Sequence, residues 1–131
     1  MRRYWDSSAL VDALEDSRVE ALASEQEQFT RSHTLAEVFS TITGGRLGYK
    51  YHPEDAAALI GELTASMNLV ELDPKEVQAA LDVAHKRRVR GGQVHDLLHA
   101  TAAKKAGVEV LLTDNITDFT NLADGLKIAP P

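Results

Sequence analysis

The sequence predicts a three-layer α/β domain, with helices on both faces of a mainly parallel sheet. Short apolar segments alternate along the chain with segments of helical period. The best strand candidate, residues 108–112, reads VEVLL and is apolar almost throughout, as a strand covered on both faces requires. The 131 residues, 44% of them apolar, suffice for one core and not for two, with no linker, repeat or low-complexity stretch between. A single domain over residues 1–131 follows.

Taken in order, residues 2–5 form a first strand candidate, and the spacing Leu10, Ala13, Leu14 predicts a short helix after it. A second short strand is expected at 29–32. Over 34–42, Leu35, Val38, Phe39 and Ile42 share one helical face, and Gly44-Gly45 supplies the stop. Pro53 suits a first helical position, Glu54 and Asp55 suit the positive end of the dipole, and Ala56, Leu59, Ile60, Leu63 and Met67 repeat at helical spacing. Residues 68–72 are a short strand candidate. Asp73-Pro74-Lys75-Glu76 then reads as N-cap, N1 proline and N3 glutamate, with Val77, Ala80, Leu81 and Ala84 following. Gly91-Gly92 breaks that helix, another runs over 94–105 to Gly107, the apolar strand follows, and 126–129 forms a last strand.

Charge and composition narrow the function. A net charge of −6 and a pI near 5.3 argue against wholesale neutralisation of nucleic-acid phosphates, although the run HKRRVRGG at 85–92 is locally basic. The absence of cysteine removes disulfides and thiolate zinc sites, and suits a reducing cytoplasm. Asp6 and Asp12 follow Arg2 and Arg3 before any apolar signal core develops, so a soluble, unexported chain is expected.

The acids carry the chemistry, although each has a plain structural reading. Asp6 precedes Ser7-Ser8-Ala9-Leu10 as a helix N-cap, and Thr34-Leu35-Ala36-Glu37 matches a capping box. Asp96 falls in a first helical turn, and Asp114 and Asp118 follow a strand as turn residues do. In an open parallel sheet, however, ligands bind beyond the carboxyl ends of the strands, where Asp6, Asp96 and Asp114 or Asp118 are all expected, with Glu37 at a helix start. Carboxylates sharing one crevice repel unless protons or hard cations neutralise them. His33, His95 and His99 lack an H-E-x-x-H or comparable spacing and read as packing or hydrogen-bonding residues, not zinc ligands. Trp5 and Phe119 read as core.

Four fragments in order, YWDSSALV, HTLAEVFS, QVHDLLHATAAKKAG and LLTDNITDF, resemble the signature of the PIN domain, and especially of VapC-like toxin ribonucleases. The resemblance spans Tyr4 to Phe119 and implies an α/β/α PIN-like fold with about five strands. It also implies an Mg²⁺- or Mn²⁺-dependent endoribonuclease, the toxin of a type II toxin-antitoxin pair, with a small VapB-like antitoxin, a homodimeric state and a cytoplasmic location. Residue by residue, the family's acids fall on Asp6, Glu37 and Asp96, and the late acid on Asp114 or Asp118. Asp114 is slightly favoured because it stands immediately at the strand end. On this reading Asp6 and Asp96 hold the metal directly, and Glu37 with Asp114 or Asp118 completes the site, partly through water. Ser8, Thr113 and Asn115 would orient them, and Lys86, Arg87, Arg88 and Arg90 would meet RNA phosphates. Two other classes compete. A phosphoacceptor receiver domain would use Asp73 and Lys127 but lacks the acidic pair after the first strand, and a catalytically silent PIN-fold module would not need every acid.

Overall fold

In a computed structural model of the chain, residues 1–45 and 51–131 are described. Strands β1 (Arg3–Trp5), β2 (Gln28–Thr30), β3 (Asn68–Leu69), β4 (Val110–Leu112) and β5 (Lys127–Ala129) form one sheet in the order β3-β2-β1-β4-β5. Every neighbouring pair is parallel. The helices are α1 (Ser7–Glu15), α2 (Ser17–Ala23), α3 (Ser32–Thr43), α4 (Pro53–Thr64), α5 (Pro74–Val83) and α6 (Val94–Ala106).

The two-residue period of the strands divides the core. Trp5, Val110 and Leu112 point to one face and pack with Leu10, Val38, Ile42 and Ile60 of α1, α3 and α4. Tyr4 and Leu111 point to the other face, against Leu97, Ala100 and Ala103 of α6 and Phe119. This is the expected three-layer arrangement, and the apolar strand is buried at all three positions. Trp5 and Phe119 are both core residues, with Trp5 Nε1 donating to Gln28 Oε1 at 2.8 Å.

Strand order reverses between β1 and β4, which is where a doubly wound sheet opens its crevice. Trp5 pairs with Leu112, so Asp6 and Thr113 emerge side by side at the carboxyl edge. A receiver-like order would set β1 beside β3. Here β1 lies between β2 and β4, and Asp73 is committed to its capping box: its Oδ1 accepts from Glu76 N at 2.8 Å while Glu76 Oε1 accepts from Asp73 N at 2.9 Å.

Several boundaries differ from expectation. The second strand ends at Thr30, because Arg31 (φ −125°, ψ 158°) is already the N-cap of α3. Of 68–72 only two residues pair, although Val70 N still donates to Thr30 O at 2.8 Å. Helix α2 has no counterpart in the sequence pattern: it buries only Ala23 and so carries little apolar period, and it starts where Asp16 accepts from Arg18 N. After α5 a 3-10 turn (Ala84–Arg87) closes on Arg88 in the left-handed region at φ 58°. Among the described residues no helix is long and apolar enough to cross a membrane.

Candidate metal centre

Asp6 stands at the N-cap of α1, 3% exposed, and its Oδ1 accepts from Ala9 N at 2.9 Å and from Ser8 Oγ at 2.7 Å. Asp6 is thus the helix cap that its position predicts, and the same residue also faces the crevice acids. Burial pushes its carboxyl up, opposed by hydrogen bonds from Thr113, Ala9 and Ser8. Ser8 ties the two strand ends together: its Oγ lies 3.3 Å from Thr113 Oγ1 and accepts from Asp114 N at 2.9 Å. Thr113, fully buried, accepts in turn from Asn115 N at 3.0 Å.

Glu37 is not a capping residue. Helix α3 begins at Ser32, so Thr34 lies buried inside its first turn and Glu37 falls in the second. Its Oε1 instead accepts from His99 Nε2 at 2.8 Å, and the other ring nitrogen of His99 meets Tyr4 Oη at 2.8 Å. Burial would raise Glu37, but the hydrogen bond from His99 and the nearby imidazoles of His33 and His95 outweigh it and hold the carboxyl below its usual range. An ionised Glu37 can only accept, so Nε2 carries the proton, and the Nδ1 side of the ring is left to the Tyr4 hydroxyl. Burial pushes that hydroxyl up, which keeps its proton in place.

Asp96 occupies the first turn of α6. Burial raises its carboxyl to about 6, with the charges of Asp118, Asp6 and Glu37 adding to the rise against the opposing effect of His99. These four acids therefore share one field. Asp114 is hydrogen-bonded to Asp12, whose carboxyl is raised to about 7 by burial, by that bond and by the charges of Asp114, Glu15 and Asp6. Asp114 and Asn115 line a cavity of about 280 Å³ with Asp12, Ser7 and Thr41. Asp118 falls within a 3-10 turn (Ile116–Phe119), and its charge acts on Asp96.

The basic run does not present four equivalent cations. Arg87 forms a two-pronged ion pair with Asp124 and donates to Asn121 O at 3.0 Å, while Lys104 Nζ also reaches Asp124 at 2.7 Å. Lys86 and Arg88 line a cavity of about 550 Å³ beside this pair. Arg90 N donates to Gln93 Oε1 at 3.1 Å just before α6.

One cluster has no sequence signal. His33, Glu37 and His95 bring one ligand atom each to within 4.8 Å of one another, from the starts of two helices far apart in sequence. His99, by contrast, is a packing and hydrogen-bonding residue, as its sequence context predicts.

Comparison with known proteins adds the family. The sequence matches the PIN domain over residues 3–124. Among solved structures, PAE2754 from Pyrobaculum aerophilum is similar with a TM-score of 0.71 at 16% identity, covering 98% of this chain and 89% of that one. VapBC-1 from nontypeable Haemophilus influenzae is similar with a TM-score of 0.70 at 18% identity, covering 99% of this chain and 98% of that one. No curated protein sequence matches.

Proposed function

The chain belongs to the PIN domain family, whose members are generally nucleases, and from that premise we propose that it is a metal-dependent endoribonuclease, the toxin of a type II toxin-antitoxin pair. The observation that carries the reading is the shared field of Asp6, Glu37, Asp96 and Asp118 at the switch point of the sheet. Among the described residues no cationic side chain hydrogen-bonds Asp6, and Asp96 is raised to about 6, so the crevice holds excess negative charge that suits a hard cation with oxygen ligands.

Asp6 and Asp96 would hold Mg²⁺ or Mn²⁺ directly, and Glu37 and Asp118 would complete the site, partly through water. Such an ion, when bound, supplies Lewis-acid stabilisation of charge on a scissile phosphate and a water acidic enough to attack it. The rest is the work of the chain. Ser8 and Thr113 fix the Asp6 carboxylate, and His99 with Tyr4 fixes Glu37. We assign the late acid to Asp118 and leave Asp114 to its pairing with Asp12. Asn115 acts through its backbone amide on Thr113.

Likeness to VapBC-1 supports a small VapB-like antitoxin as partner, and a homodimeric toxin in a cytoplasmic setting is proposed as part of the same reading. The test of the catalytic reading incubates the purified protein with labelled single-stranded and structured RNA in Mg²⁺, Mn²⁺ or chelator, beside Asp96→Asn. Cleavage should need the metal and should vanish in the variant. Full cleavage by Asp96→Asn would exclude this site.

A further inference from the structure

Helices α3 and α6 each present an i, i+4 pair of potential ligands on one face, His33 with Glu37 and His95 with His99. His99 is buried and spoken for, between Tyr4 and Glu37. His33 and His95 are exposed, and their rings stack at a centroid distance of 5.7 Å and 15° between planes. Together with Glu37 they bring two imidazole nitrogens and a carboxylate oxygen to within 4.8 Å of one another. Bonds of about 2.1 Å to a tetrahedral ion place ligand atoms about 3.4 Å apart, a gap that side-chain rotation at two exposed histidines closes.

We propose that His33, Glu37 and His95 form a second cation site, for a borderline divalent ion of the zinc class, distinct in ligand chemistry from the all-oxygen crevice. Two imidazoles and one carboxylate, with solvent in the fourth position, are a donor set that zinc accepts and that Mg²⁺, which prefers oxygen, does not. The set is also supported from behind. His99 holds one oxygen of Glu37 at 2.8 Å and is itself held by Tyr4, the outer-shell arrangement that orients a ligating carboxylate. Because Glu37 belongs to both sites, an ion on the histidines withdraws it from the acidic crevice. Zinc-class ions should therefore inhibit Mg²⁺-dependent cleavage; this regulatory half rests on the nuclease reading, whereas the binding half does not.

The test uses the full chain without a histidine tag and Co²⁺ as a spectroscopic stand-in for zinc. Titration in excess Mg²⁺, which fills the oxygen crevice, should give one-to-one binding with a visible d–d absorption band, shifted to higher Co²⁺ concentration because Glu37 is shared, and abolished by equimolar Zn²⁺. His33→Ala and His95→Ala, both surface changes, should each weaken Co²⁺ binding at least about tenfold. Asp96→Asn should leave the band in place. Binding that both histidine variants retain, or that Asp96→Asn abolishes, would overturn the site. If RNA cleavage by the wild type fails while the Co²⁺ band persists, the nuclease reading falls and the second site stands. If cleavage occurs, micromolar-range Zn²⁺ should suppress it in the wild type and not in the His33→Ala/His95→Ala double variant; equal suppression in both would refute the shared use of Glu37.

Discussion

Glu37 and His99, sixty-two positions apart, are joined by a 2.8 Å hydrogen bond that crosses from α3 to α6 and continues to Tyr4 under the sheet. The chain of three fixes an acid of the proposed metal site through two groups that never reach solvent. His99→Ala should therefore act twice. It leaves the Tyr4 hydroxyl buried without its partner, at a cost of about 1–3 kcal/mol in urea unfolding, and it frees Glu37, weakening Mn²⁺ affinity by roughly 10- to 100-fold. Tyr4→Phe should show the stability loss with a smaller loss of metal affinity. Equal effects of both variants on metal binding would mean that His99 only packs.

The two late aspartates should separate cleanly. Asp118→Asn removes an acid that acts on Asp96, so metal-dependent cleavage should fall by about 10- to 100-fold. Asp114→Asn should spare most activity and instead relieve Asp12, whose proton is retained to about pH 7 in the intact pair. Activities and thermal midpoints of the two variants at pH 5 and pH 8 would decide it. Loss of cleavage in Asp114→Asn alone would return the late role to the residue nearest the strand.

What can be read from sequence follows the range of the interactions concerned. Asp6 and Asp96 are placed by strand ends and first helical turns, which local pattern reveals. Local pattern misplaces Glu37 because the Thr34-to-Glu37 spacing fits a capping box wherever it occurs, and only the extended backbone of Arg31 shows that the helix starts earlier. The placement of Asp118 relative to Asp114 depends on a single 3-10 turn that carries no periodic signal. The meeting of His33 with His95 is a product of tertiary packing between two helices, and no local motif could contain it.

Stability of the metal-free protein should fall as pH rises from about 4 to 7. Asp96 and Asp12 are raised in the folded state, to about 6 and about 7, above ordinary aspartates. Between the unfolded and folded values the native state binds more protons than the unfolded one, so stability is fully present at low pH and is lost as these carboxyls ionise. Mg²⁺ or Mn²⁺ should reverse the trend on the Asp96 side, because the ion binds the deprotonated form and releases a proton. The expected result is a larger metal-induced rise in thermal midpoint at pH 7.5 than at pH 5. In Asp96→Asn the pH slope should be shallower, and a metal response unchanged from wild type would contradict the assignment.

The basic run should divide into structural and binding cations. Arg87 is committed to Asp124 and the Asn121 carbonyl, so its charge is largely met within the fold. Arg87→Ala should loosen the segment after the 3-10 turn, visible as faster amide exchange around 121–126, with little change in the salt dependence of RNA binding. Lys86 and Arg88 line the adjoining cavity, and the left-handed backbone at Arg88 sets its side chain off the line of α5. If they meet phosphates, charge reversal at both should weaken RNA binding and lower the slope of log affinity against log salt by about 0.7 for each phosphate that is no longer neutralised. A net charge of −6 makes this a sensitive measurement, since the rest of the surface contributes repulsion that salt screens in the opposite sense. An unchanged slope in the Lys86→Glu/Arg88→Glu variant would move the RNA path away from this cavity.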